Sequence, residues 1–428
     1  MLTTNPNCVY PPLGIDEGLC SLLPKDLQVD RIAHSNPLKV VLDLRNKFRQ
    51  TFRSAVFKRA TNVKEGSVER QYSQPSSSNL WAVWKECILQ WLFYFPDHQQ
   101  SWLRPAVRQF SQIPPRERPD VVLATGSPWT NLLVGHELAK VYRVPFIADF
   151  RDPWIDNPCL SELPRYLSKK SERLERFICQ SADRITTTTP ELTSRLASRY
   201  PEQEGKIITI TNGFDEEIFK KDIAVYSERD RGPQVYTDKN ARLEIAHFGT
   251  VYGARNPFHL LAASWELFKE KVLGPDNFLL RFVGAWDVAD TRCNELAEEL
   301  EHIGIVFREP SMDHALCLTA MSLAQVLLVL QHGFPLQVPG KIYEYIATGR
   351  PILVIGGEGA TTRLVRRNKL GRCCPNSITE IKETLKGHVT GQSPIKAPQL
   401  ESTVRFSYRS LTNQLCGVLT EITESNLM

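Results

Sequence analysis

From about residue 118 the chain alternates between short β-branched runs and longer stretches with apolar residues three or four apart. "DVVLATG" (120–126), "PFIADF" (145–150), "DRITTTT" (183–189) and "KIITIT" (206–211) predict strands. Between them, "SPWTNLLVGHELAKVY" and "RYLSKKSERLERFICQSA" predict helices. "TPELTSRLASRY" predicts a further helix, with Thr189 as its cap and Pro190 at the first helical position, where a missing N–H costs nothing. A polar, irregular segment over 213–240 reads as a connection between domains. The alternation then restarts, and "RLEIAHFG", "FLLRFVG", "IVFR", "QVLLVL", "PILVIG" and "GRCC" predict six more strands separated by helical stretches. Strands that alternate with helices form βαβ units and a parallel sheet. Two such blocks predict an α/β protein of two Rossmann-like domains facing a cleft, 1–222 and 223–404. A last helix within 405–428 carries Leu411, Leu415, Val418, Leu419 and Ile422 at helical spacing.

Composition narrows the class. A length of 428 residues suits two or three domains, and 42% hydrophobic with 23% charged residues is ordinary for a globular chain. A net charge of +4 is too weak for a nucleic-acid binder, so no nucleic-acid partner is expected. The 10 cysteines run from Cys8 to Cys416 without a C-x-x-C pair; only Cys373 and Cys374 are adjacent. That pattern argues against zinc and against a secreted disulfide framework, and fits a reducing cytosol. Met1 is followed by polar and turn residues, unlike a signal peptide. "CILQWLFYF" (87–95) falls short of the roughly 20 residues a membrane span needs. The expectation is a cytoplasmic protein. Residues 38–70 are rich in Lys and Arg with Leu, Phe and Val interleaved. Two readings stay open: a basic face lying on the inner surface of an anionic membrane, or a solvated helix face.

Parallel sheets bind ligands beyond the carboxyl ends of their strands. In the second block those tips are "FGTVYGAR" (248–255), "GAWD" (284–287), "QHGFPLQVPGK" (331–341) and "GGEGA" (356–360). Small residues let backbone N–H groups approach a phosphate, and Arg255 can bind one bidentately. Pro339 and Gly340 lead into a helix with Lys341 and Glu344 at i, i+3, on one face. A helix N-terminus supplies about half a positive charge. A diphosphate carries more, so Arg255 and Lys341 would complete the balance. Glu344 can accept hydrogen bonds from two vicinal hydroxyls, as an acidic residue does on a ribose. The alternative is a surface Lys–Glu ion pair beside ordinary glycine turns.

"GKIYEYIATGRPILVIGGEG", "FGTVYGARNPFHLL", "ATGSPWTNLLVGHELAKVYRVPFIADFRDPW" and "ADRITTTTPELTSRL…ITNGFDEEIF" together resemble the glycosyltransferases of family 4, which have the GT-B fold. The resemblance covers about residues 95–425. It implies a nucleotide-sugar donor in the second domain, with Glu344 at the ribose and Arg255, Lys341, Gly249, Thr250 and Gly340 around the diphosphate. It places a saccharide acceptor, lipid-linked in some relatives, against the first domain near Ser127, Trp129, Asp149, Arg151 and Asp152. It also has the last helix crossing back to the first domain. Two departures stand out. The family often has a glutamate eight positions before the one matching Glu344; here it is Leu336. The first domain should open with a strand, a glycine-rich loop and a helix, yet "LTTNP" reads as the end of a second strand, as if some forty residues of a βαβ unit were missing.

Cleaving a sugar–diphosphate bond builds negative charge on the leaving phosphate, which fixed cations stabilise. Arg255 and Lys341 suit that task. No D-x-D occurs, so metal independence is expected, with no cofactor beyond the nucleotide sugar as co-substrate. The resemblance implies retention of configuration in polysaccharide or cell-envelope glycan synthesis. Asp149 or Asp152 would orient the acceptor hydroxyl, or serve as turn residues. His136 and His247 read as satisfied helix and strand residues. Two alternatives remain: a nucleotide-sugar isomerase on the same architecture, and a binding module that retains the pocket without transfer. No G-x-G-x-x-G follows a strand, which argues against a dehydrogenase.

Overall fold

The computed structural model describes residues 1–4, 24, 26–34, 95–158, 165–218, 242–398 and 403–425. The basic stretch 38–70, nearly all of the apolar run 87–95 and the connection from 219 to 240 lie outside these residues. Contacts divide the chain into two compact units, Met1–Ile185 with Ile422–Met428, and Thr186–Glu421.

In the first unit β1 (Leu2–Thr4) runs parallel to β2 (Asp30–Ile32), so "LTT" is a strand as read. Helix α1 (Leu103–Phe110) follows, then β3 (Val122–Gly126), α2 (Trp129–Tyr142), β4 (Phe146–Phe150) and α3 (Arg165–Ser181). β3 and β4 pair in parallel from Val122↔Phe146 to Gly126↔Phe150. Helix α2 has no capping side chain of its own. Instead Asp97 accepts from Thr130 N at 2.7 Å and from Thr130 Oγ1 at 2.9 Å, satisfying that end from a distant loop. A Cβ on Gly135 would come within 2.9 Å of the Phe146 ring, so α2 lies directly on the strands. β5 (Arg184–Thr187) contains the boundary between the units.

The second unit continues with α4 (Pro190–Arg199) and β6 (Ile207–Thr209). Thr189 caps α4 as its sequence predicts, its hydroxyl accepting from Leu192 N at 3.1 Å. A four-stranded sheet has the order β3-β4-β5-β6. Next come β7 (Leu243–Phe248), β8 (Val251–Tyr252), α5 (Phe258–Lys269), β9 (Phe278–Val283), β10 (Trp286–Asp287) and α6 (Thr291–Ile303). They are followed by β11 (Val306–Glu309), α7 (His314–Leu323), β12 (Val326–Gln331), α8 (Lys341–Thr348), β13 (Ile352–Gly356), α9 (Ala360–Arg367), β14 (Gly371–Cys374), α10 (Ile378–Val389) and α11 (Tyr408–Ser425). All six strands read from the second block are present. They form one parallel sheet in the order β11-β9-β7-β12-β13-β14.

That order matters for function. The chain enters at β7, builds outward to β11, returns to the centre at β12 and builds the other way. The switch point is the crevice between the tips of β7 and β12, where open α/β sheets bind ligands. The sheet is covered on both faces, which explains the nearly unbroken apolar runs of the central strands β12 and β13. Leu280, Phe282, Leu328 and Leu353 pack beneath α5, α6 and α10. Ala246, Phe248, Leu327 and Val354 pack beneath α7, α8 and α9. On α11, Leu411, Val418 and Ile422 are buried, while Leu415 and Leu419 are half-buried. The "NGFD" turn has a packing role. Phe214 N donates to Phe406 O at 3.0 Å, and Tyr408 N donates to Phe214 O at 2.9 Å, anchoring the start of α11.

Candidate functional site

The site grows from the end of β7. Phe248 is its last residue, and Gly249 follows with φ +104°, a left-handed conformation that suits glycine. Gly284, at the tip of β9, has φ +135°, and a Cβ there would sit 2.7 Å from the Gly249 carbonyl carbon. Glycine at both positions lets the two tips touch. Gly249 and Thr250 are exposed on this turn.

Helix α8 is pinned onto the same tip. Phe248 N donates to Tyr345 Oη at 3.0 Å, and Ile342, Tyr345 and Ile346 are fully buried under the sheet face. This fixes Lys341 at the switch point. Its Nζ donates to Phe248 O at 2.7 Å and lies 2.9 Å from His247 Nε2 and 3.4 Å from Nδ1. The ammonium therefore rests against the N–C–N edge of the ring. His247 Nδ1 is 3.1 Å from Leu328 O, an acceptor only, so Nδ1 carries the ring proton and Nε2 offers its lone pair to the lysine. His247 is a satisfied strand residue, as read, and also a support for Lys341. Its burial, and the nearby Lys341 cation, hold it well below the usual histidine pKa and keep it neutral.

Lys341 has no carboxylate within ion-pairing distance among the described residues. Burial first, and the Arg255 cation second, pull its pKa from 10.5 down to about 7; Cys317 and Glu344 pull the other way. Among the described residues, one of its three N–H groups has no partner. Arg255, from the turn after β8, lies over the Tyr252 ring at 5.1 Å and the Phe334 ring at 5.5 Å. Its Nε is buried and makes no hydrogen bond among the described residues. Two cations with unused donors, and no carboxylate paired to either among the described residues, flank one strand tip. Such an arrangement is costly without a bound anion and favourable with one.

Glu344 completes the group. It does not form the surface ion pair with Lys341 that the i, i+3 spacing allows. Its Oε1 accepts from His314 Nε2 at 2.9 Å, and the carboxylate stays partly exposed. Sequence reading missed His314, because it lies 30 residues away at the start of α7 and only the fold brings it here. Cys317 lies one turn further along α7. Burial, then the Glu344 charge, push its pKa up to about 11, so it stays a neutral thiol. Gly340 precedes α8 with helical angles, φ −52° and ψ −41°, and a Cβ there would meet nothing within 4 Å. Leu336 is half-buried, and its carbonyl accepts from Thr189 Oγ1 at 2.7 Å.

In the first unit the tips of β3 and β4 meet through Arg151 N, which donates to Gly126 O at 2.8 Å. Ser127 is exposed there, Asp149 is buried, and Arg151 and Asp152 are half-buried. Arg151 Nη1 lies 3.5 Å from Asp149 Oδ1. Trp129 corrects the reading from sequence: it is only 3% exposed and stacks on Trp154 at 4.9 Å, which makes it a core residue, not a surface for an acceptor. His136 packs edge-on against Phe177 at 4.8 Å, a structural role. No group of three or more metal-ligating side chains occurs among the described residues. Nor is any described helix long and apolar enough to cross a membrane.

The fold is that of the GT-B glycosyltransferases, α/β with parallel sheets. Residues 74–218 match the model of a family described as Glycosyltransferase Family 4, in agreement with the resemblance read from the sequence. Among solved structures, the chain is similar to a sucrose-phosphate synthase from Thermosynechococcus elongatus, with TM-score 0.54, 14% identity, and coverage of 76% of this chain and 79% of the other. It is similar to an α,α-trehalose 6-phosphate synthase from Burkholderia multivorans, with TM-score 0.56, 12% identity and coverage of 77% and 78%. A third similar structure is Anabaena HepE in complex with UDP-glucose, with TM-score 0.51, 15% identity and coverage of 75% and 83%. No curated protein matches the sequence.

Proposed function

We propose that the protein is a glycosyltransferase that moves a sugar from a nucleotide-diphosphate sugar, with UDP-glucose as the first candidate, to a saccharide acceptor. The observation that carries this reading is the pair of cations Arg255 and Lys341 at the switch point of the second unit, neither paired with a carboxylate among the described residues, with Glu344 one turn along α8. The diphosphate sits against the Gly249–Thr250 turn and the Gly340 end of α8. There it takes the open N–H of Lys341 and the unused Nε of Arg255, while Glu344 accepts from ribose hydroxyls. UDP-glucose bound to HepE, a protein of the same fold, supports the choice of donor.

As the anomeric C–O bond breaks, negative charge gathers on the leaving phosphate. Two fixed cations in a site of reduced solvation stabilise it more in the transition state than in the ground state. No protein nucleophile is needed. The leaving phosphate oxygen takes the acceptor's proton on the face it departs from, which retains configuration. Asp149 or Asp152 orients the acceptor hydroxyl. The setting is polysaccharide or cell-envelope glycan synthesis, with a lipid-linked acceptor among the candidates.

A second reading, binding without transfer, draws on Leu336, which replaces a carboxylate that relatives place before the donor-site helix. The two readings separate in one assay: a panel of nucleotide sugars with saccharide and lipid-linked acceptors, followed by release of nucleoside diphosphate and by product anomer. Acceptor-dependent release with retained configuration supports transfer. Tight donor binding with no release under any acceptor supports the binder.

A further inference from the structure

We infer that His314 is a positioning residue that fixes the carboxylate of Glu344 for reading the ribose of the donor; the inference rests on the donor site proposed above. Lys341 and Glu344 share one face of α8 and carry opposite charges. Among the described residues Lys341 keeps one N–H without a partner, so a free Glu344 carboxylate has an obvious place to go. Collapse of that pair would neutralise the cation meant for the diphosphate and withdraw the acceptor meant for the hydroxyls. The structure holds the two apart. His314 Nε2 donates to Glu344 Oε1 at 2.9 Å from a different helix, while Lys341 Nζ donates to Phe248 O at 2.7 Å on β7.

His314 is itself well placed for this. It is the first residue of α7, and the preceding Asp313 caps that helix by accepting from Ala315 N at 3.0 Å, which fixes the backbone from which the imidazole projects. Glu344 is fixed in turn by its neighbours Tyr343 and Tyr345, both buried. With Oε1 held, Oε2 has no hydrogen-bond partner among the described residues. A carboxylate oxygen with a fixed direction can choose between a ribose and a 2′-deoxyribose; a mobile one loses much of that choice in the ordering it must undergo on binding.

The test measures binding of UDP-glucose and its 2′-deoxyuridine counterpart by calorimetry to the wild-type chain, His314→Ala, His314→Gln and Glu344→Ala. A hydrogen bond to a charged acceptor is worth about one to two powers of ten in affinity, so the wild type should prefer the ribonucleotide by about tenfold or more. His314→Ala should lose most of that preference by weakening the ribonucleotide alone. His314→Gln, which restores a donor at the position of Nε2, should recover it. The imidazole is 40% exposed, so truncation leaves no buried void, and a melting curve checks folding. Full preference retained in His314→Ala overturns the inference. If Glu344→Ala also retains it, the assignment of Glu344 to the ribose fails as well. If Glu344→Ala loses it while His314→Ala does not, only the role of His314 fails.

Discussion

Lys341 is the residue on which the proposed donor site most depends. A buried ammonium with no carboxylate in ion-pairing reach among the described residues is costly to keep charged, and burial lowers its pKa accordingly. Its folded pKa, about 7, lies below the unfolded value, so the unfolded chain binds the extra proton between the two. The destabilising cost is therefore fully present below about pH 7 and fades as pH rises toward the ordinary lysine value of 10.5. Lys341→Met should raise the melting temperature, and more at about pH 6 than at about pH 9, by a gain of up to a few kcal/mol. The same substitution should weaken UDP-glucose binding by about ten- to a hundredfold. A lower melting temperature together with unchanged affinity would show that the lysine is an ordinary core stem.

Binding carries the opposite sign. The ammonium is the form that meets a diphosphate, and a bound anion raises its pKa. Affinity for UDP-glucose should be flat below about pH 7 and fall by up to about tenfold per unit above it, until the bound-state pKa is reached. A nucleotide sugar is the right probe, because its diphosphate is diesterified and has no proton to lose in this range. Titrations in buffers of different ionisation enthalpy should show proton uptake above pH 7. A flat profile to about pH 9 would mean that Lys341 does not contact the phosphates.

At the level of elements, the anchor is Tyr345, whose hydroxyl ties α8 to the end of β7. Tyr345→Phe leaves Phe248 N buried and unsatisfied, at a cost of about 1–3 kcal/mol. It should also loosen Lys341, so affinity and melting temperature should fall together. Gly340 and Gly249 separate folding from binding. Gly340→Ala meets open space at helical angles and should fold normally, so any loss of donor affinity reports a ligand close by. Gly249→Ala forces a strained φ and places a methyl 3.7 Å from Lys341 Nζ, so both stability and affinity should drop. Much of this architecture was legible. Every strand from β3 to β14 except the two-residue β8 and β10 was readable from a short β-branched or apolar run; β12 and β13 were clearest, because a central parallel strand covered on both faces is apolar throughout. Thr189 and Pro190 marked the start of α4 for an equally local reason.

What local patterning could not show was partnership. Lys341 and Glu344 stood out by spacing, but spacing alone suggested that they pair with each other. The fold instead gives Lys341 to β7 and Glu344 to α7, through His247 and His314, residues 94 and 30 positions away. Trp129 was placed beside the acceptor by the family resemblance alone, and only the stacking on Trp154, 25 residues away, puts it in the core. Over the whole molecule, the proposed transfer would stabilise its leaving group with side chains, since the sequence has no D-x-D to hold a metal clamp. Release of nucleoside diphosphate should therefore persist in EDTA at the untreated rate. A loss of activity restored by added magnesium would show that a cation shares the task of Arg255 and Lys341.

The most direct measurement is a calorimetric titration of UDP-glucose into the wild-type chain and into an Arg255→Leu, Lys341→Met double variant with a confirmed melting transition. An anion site made by these two cations should bind in the wild type and lose about a hundredfold or more in the variant. Equal affinity in both proteins would place the nucleotide sugar somewhere other than the switch point of the second unit.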